Sequence, residues 1–143
     1  MRACAAFVAR RGNKASDLVR KVTDRLSAPD WQERVAAARA LGDFGSFADR
    51  GALGRAAVGD AKAFVREAAV SSLGRLGARA SVEVLVQAAD RTREKVPEVR
   101  RAAVEALAPL APTDRRVRAV LADIADQDPS AEVKAAARGS EKK

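Results

Sequence analysis

Enzyme chemistry draws mostly on His, Cys, paired carboxylates and activated hydroxyls, and this chain offers little of it. There is no His and a single Cys, Cys4. That removes the Ser/His/Asp and Cys/His nucleophile systems, zinc and haem ligation, and any internal disulfide. Two acidic pairs, Asp123 with Asp126 and Asp126 with Asp128, have the closeness of a general acid/base dyad. The first falls at a helix exit and the second in a turn, and neither has a convergent third ligand. No catalytic residue, metal site or cofactor is expected from this set. Trp31, the single Trp, stands after Pro29 and Asp30 at a helix start with no aromatic cluster around it. Its expected job is packing the first unit against the capping helix.

Charge is what the chain holds in quantity. Lys and Arg number 27 against 19 Asp and Glu, a net +8. The excess is lopsided, with +5 in residues 1–28 and +3 in the remaining 115. Arg10, Arg11, Lys14, Arg20, Lys21 and Arg25 therefore form a candidate nucleic-acid patch, because phosphate binding rests on Lys and Arg displacing condensed counterions. Single-strand readers interleave aromatic residues to stack bases, and this stretch has Phe7 alone, with Trp31 just beyond. Nucleic acid is thus the alternative partner rather than the first. No stretch approaches the ~20 apolar residues that span a bilayer. The seven apolar residues before Arg10 and Arg11 lack the cleavage pattern of an export signal. A cytoplasmic protein with Cys4 reduced is expected, and the bias toward Ala and Arg suits a GC-rich bacterial genome.

The elements that position these residues follow from composition and repetition. The 143 residues make one domain, 48% apolar but only 3% aromatic, with about a quarter of the chain Ala. Slim side chains favour close helix-on-helix packing, while few Pro and Gly and no β-branched aromatic runs argue against sheet. Four segments repeat one pattern around Arg34, Arg66, Arg100 and Lys134, at steps of 32, 34 and 34 residues, the length of a helix–turn–helix unit. Within the second, Val65, Ala68, Ala69, Leu73 and Leu76 fall on one face of a helix. Gly42, Gly45, Gly74, Gly77, Pro109 and Pro112 mark helix ends. Partner helices precede these segments, beginning near Leu53, Val82 and Val117, and a first helix runs from about Ser16, its N-cap, to Leu26. The expectation is an all-α fold of eight helices in four antiparallel pairs.

The pattern Asp-(x4)-Val-Arg-(x2)-Ala-(x3)-Leu-Gly-(x)-Leu-Gly, read at Asp60 to Gly77, resembles the HEAT repeat, in particular its short phycobilisome-lyase type, over about residues 16–138. The resemblance implies a right-handed superhelix with outer and inner helix layers; residues 1–15 are expected to be a basic, partly disordered N-terminal segment and 139–143 a polar tail. It also implies a ladder of charged hydrogen bonds between neighbouring units, for which Asp60 with Arg66, Glu94 with Arg100 and Asp128 with Lys134 keep the acid-to-base spacing. The unit at Arg34 has Ala28 in the acidic place, which suggests an atypical, capping first pair. Nothing in the residues makes a bilin pocket, for there is no His, no Tyr and scarcely an aromatic wall. In such proteins the inner layer is the one partners read, and if the Val-Arg helices line it, Arg39, Ser71, Arg75, Arg101 and Glu105 are the exposed binding candidates. Their mixed signs suit a protein partner rather than a phosphate backbone. The function expected is a non-catalytic scaffold or adaptor. A nucleic-acid binder, or an accessory subunit of a larger complex or homo-oligomer, are the alternatives, the last because the final inner helix stops near Arg138 with little polar cap beyond it.

Overall fold

The computed structural model describes residues 14–44 and 49–139. Every regular element among them is helical. Helix α1 covers 14–24 and tightens into a 3₁₀ turn at Arg25–Ser27; α2 is Trp31–Phe44, α3 Arg50–Gly59, α4 Ala63–Arg75, α5 Val82–Ala89, α6 Pro97–Leu107, α7 Arg115–Gln127 and α8 Ala131–Gly139. Ser16 lies inside α1 and does not cap it, because the good helix formers Lys14 and Ala15 are already helical before it.

Short polar turns start the even-numbered helices with an acidic side chain, immediately before α2 at Asp30 and three residues before α4, α6 and α8 at Asp60, Glu94 and Asp128. Asp30, Asp60, Glu94 and Asp128 each turn a carboxylate oxygen back onto the backbone N–H two residues on, at 3.0, 2.9, 2.9 and 2.8 Å. An acidic side chain there satisfies a donor of the turn and sits at the positive end of the helix dipole. Helix α7 has an ordinary cap, its backbone N–H groups at Arg116 and Val117 donating to Asp114.

Packing sorts the helices into two layers. The even-numbered helices follow one another closely, α2 on α4, α4 on α6 and α6 on α8, while α3, α5 and α7 touch their own layer much less. Each even-numbered helix also packs against the odd-numbered helix before it in its unit, α4 on α3, α6 on α5 and α8 on α7. The hydrophobic interior is one continuous cluster running from Ala38 to Ala137. One fully buried Leu from each of six successive helices, Leu41, Leu53, Leu73, Leu85, Leu107 and Leu121, forms its spine.

The closeness of the even layer is a matter of side-chain size. A Cβ added to Gly42 would come 2.5 Å from Ser72 Oγ, and one added to Gly74 would come 3.0 Å from the Ala106 Cβ. These two glycines therefore lie within α2 and α4 as contact points between helices, and do not end them as the spacing suggested. Gly77 does mark a chain turn, with φ +109° in a region that L side chains rarely adopt. Tight spacing in one layer and looser spacing in the other bends the row toward the even helices, which makes theirs the inner layer.

Candidate functional site

The charged residues of the turns build the first recurring constellation. Arg34 makes a two-pronged contact with Asp60, at 2.8 and 3.0 Å. Arg66 does the same to Glu94 at 2.7 and 2.9 Å, and Arg100 to Asp128 at 2.8 and 2.9 Å. Each guanidinium also donates to the backbone carbonyl six residues before it, at Ala28, Asp60 and Glu94. The carboxylate partner thus belongs to the next unit, and the residue six positions back contributes only its carbonyl. Ala28 supplies its carbonyl to Arg34 as Asp60 and Glu94 do to theirs, and the contacts reach the first unit through Arg34. Lys134, the last in register, makes no ion pair among the described residues.

These contacts are buried, most deeply at Arg100 and Asp128, which are 2% and 1% exposed. Desolvation works to raise the carboxyls of Asp60, Glu94 and Asp128. Bonds from Arg34, Arg66 and Arg100, with the backbone N–H groups of the turns, more than reverse it and hold all three below the ordinary carboxylate range. Planar guanidinium forks suit such two-oxygen contacts. All of this chemistry is spent inside the molecule, joining unit to unit.

The outward stripe of the even layer is what a partner would meet. Arg39 is exposed in α2 and makes no ion pair among the described residues. Ser71, Arg75 and Glu105 border a shallow groove of about 270 Å³ between α4 and α6, floored by Gly74, Ala102 and Ala106. Arg75 is drawn across to α2, donating to Asp43, to the Arg39 carbonyl and to Ser72 Oγ. Arg101 donates to Glu105 at 2.9 Å and stands 3.9 Å from Glu132. The structure brings Ser71, Arg75 and Glu105 to one groove, and leaves Arg39 and Arg101 on the stripe either side of it.

Two aromatic residues add a feature the sequence reading did not assemble. Trp31 stacks on Phe64, ring centres 5.5 Å apart and planes at 23°. The Trp therefore packs across to the second unit, because Phe64 offers a ring face at the start of the neighbouring even helix. Phe64 is itself 64% exposed, more than any other large apolar residue described. A signal was present in the repeat: Phe64 occupies the register position filled by Gln32, Glu98 and Glu132, a place the pattern otherwise keeps polar.

Of the basic candidates near the start of the chain, Arg10 and Arg11 lie outside the described residues. Lys14, Arg20, Lys21 and Arg25 are exposed, with Arg20 paired to Asp17 and Arg25 to Glu33. On the odd layer, α5 and α7 part to leave an open apolar groove of about 450 Å³ along Val86, Ala89, Val120 and Ile124, rimmed by the Arg91–Asp123 pair. No group of three His, Cys, Asp or Glu converges among the described residues. No described helix is long and apolar enough to cross a membrane.

Comparison with known proteins agrees with this architecture. The family model for HEAT repeats matches residues 19–96 and again 56–140. No curated protein matches the chain. Two overlapping matches covering most of the residues, on a stack of helix pairs joined turn to turn by Arg–carboxylate contacts, establish that the chain belongs to the HEAT-repeat family.

Proposed function

We propose that the protein is a non-catalytic scaffold or adaptor in the cytoplasm, and that its inner layer receives another protein. The observation that carries this reading is the outward stripe of α2, α4 and α6, where the exposed Phe64, stacked on the half-buried Trp31, stands at the helix starts and charges of both signs border a shallow groove toward the helix ends. Aromatic anchors ringed by polar groups are what protein interfaces use. Arg39, Ser71, Arg75, Arg101 and Glu105 would set register, and the repeat unit spanning about 16–138 would act as one body. Family membership alone leaves the task open, because one architecture serves many.

A photo-cross-linker placed at Ser71 and, separately, at Arg118 on α7 tests the reading in native lysate. Adducts with a discrete protein at Ser71 and not at Arg118 are expected, along with negligible duplex DNA binding at physiological salt. The alternative partner, nucleic acid, is favoured by the exposed Lys14, Arg20, Lys21 and Arg25. It would show as tight DNA binding whose log affinity falls with log salt at about −0.9 per phosphate contacted, and as loss of binding when those residues are neutralised. That outcome would displace the scaffold reading.

A further inference from the structure

We propose, resting on the scaffold reading, that the inner face takes an extended Arg/Lys-rich segment of its protein partner, with one cationic side chain seated on Phe64 between Glu67 and Glu98. Phe64 presents a ring face to solvent while Trp31 braces it from behind, and a guanidinium or ammonium is attracted to such a face by the ring quadrupole. Glu67 lies one turn on from Phe64 in α4, and Glu98 holds the matching position in α6. Among the described residues neither carries an ion pair or a side-chain hydrogen bond. That is unusual for this molecule, which has more cations than anions and pairs Glu33, Asp43, Glu83, Glu105 and Asp123 with Arg.

Charge along the face supports the same occupant. The stripe holds Asp43, Glu67, Glu98, Glu105 and Glu132 against Arg39, Arg75 and Arg101, with Arg75 engaged by Asp43 and Arg101 by Glu105 and Glu132. The exposed basic residues Arg20, Lys21, Arg55, Arg115 and Arg118 are on α1, α3 and α7, in the opposite layer, while Lys62 and Lys95 stand in the turns before α4 and α6 and Arg138 in the last turn of α8. A phosphate backbone would meet unpaired carboxylates here, whereas a basic peptide would meet complementary charge. Spacing then sets the pattern of the segment. Neighbouring helices sit roughly 8–10 Å apart, and an extended chain rises about 3.3 Å per residue, so basic residues at every third position would fall on successive helices.

The test uses the intact protein and a labelled peptide with Arg at every third position in a Ser/Gly background. Glu-for-Arg and Gln-for-Arg peptides of equal length are the controls. Anisotropy gives the affinity, and emission from Trp31, the sole Trp, reports binding at the site. Saturable binding of the Arg peptide with a change in Trp31 emission is expected. The double variant E67Q/E98Q should weaken it about tenfold or more, and Phe64→Leu, which keeps the apolar bulk and removes the ring, should weaken it several-fold; far-UV circular dichroism checks that each remains folded. Equal binding of the Gln or Glu peptide, or unchanged affinity in E67Q/E98Q, would overturn the assignment. Cross-linking of a partner at Ser71 that the Arg peptide does not displace would also overturn it, while leaving the scaffold reading standing.

Discussion

At the scale of single residues, the molecule separates two kinds of arginine that look alike in sequence. Arg100 and Arg101 are neighbours in the chain, yet Arg100 is enclosed with Asp128 and Arg101 lies in solvent with Glu105. Removing one partner of a buried pair strands the other, at a cost of about 3–5 kcal/mol, whereas exposed pairs contribute about 0–1 kcal/mol. Arg100→Ala should therefore destabilise by several kcal/mol in urea unfolding, and Arg101→Ala should change stability little. Similar losses for both would contradict the burial difference. The glycines divide in the same manner. Gly42→Ala pushes a methyl group into Ser72 and should cost about 1–3 kcal/mol through overpacking. Gly59→Ala, with open space around it, should be neutral or stabilising by up to about 1 kcal/mol, read from thermal midpoints of the two variants.

At the scale of the element, each inter-helix turn carries a carboxylate with two tasks. Asp60, Glu94 and Asp128 accept a guanidinium from the preceding unit and also hold the backbone N–H that begins the next even helix. Protonation would loosen the junction and the helix start together. Because the folded carboxyls lie below their ordinary values, this stabilisation is fully present above the unfolded pKa of about 4 and is lost as pH falls through the folded values. Thermal midpoints should hold steady from neutral pH to about 5 and drop below about 4. In the D60N/E94Q variant the neutral-pH midpoint should be lower and the acid-side drop shallower; an unchanged acid limb in that variant would show that other groups control it.

At the scale of the whole molecule, stability is spread along a row and not gathered at a centre. Helices α4 and α6 have neighbours on both sides within their layer, whereas among the described residues α8 has α6 alone. Nearest-neighbour stacking makes protection from hydrogen exchange highest in the doubly flanked helices. Exchange monitored by mass spectrometry should find α4 and α6 slowest and α8 faster, and uniform protection would argue for a single all-or-none unit. End-to-end stacking of copies through the ladder would set Lys134 opposite the carboxylate-free turn at Ala28. Light scattering should accordingly show a monomer, and concentration-dependent growth in mass would favour the homo-oligomer alternative.

The repeat, the helix pairs and the buried stripe were all legible in the residues, because helical period and turn chemistry are local properties of the chain. Val65, Ala69 and Leu73 are fully buried as their spacing demanded. Partnership between distant side chains is not local. The guanidinium of Arg66 reaches an acid 28 residues onward and not the one six residues back, Gly42 is a contact point instead of a stop, and Trp31 finds Phe64 across a helix junction. Sequence alone determined which helices form and which face each one buries; the distance between neighbouring units, which only stacking sets, decided which charges pair and that Trp31 stacks on the exposed Phe64.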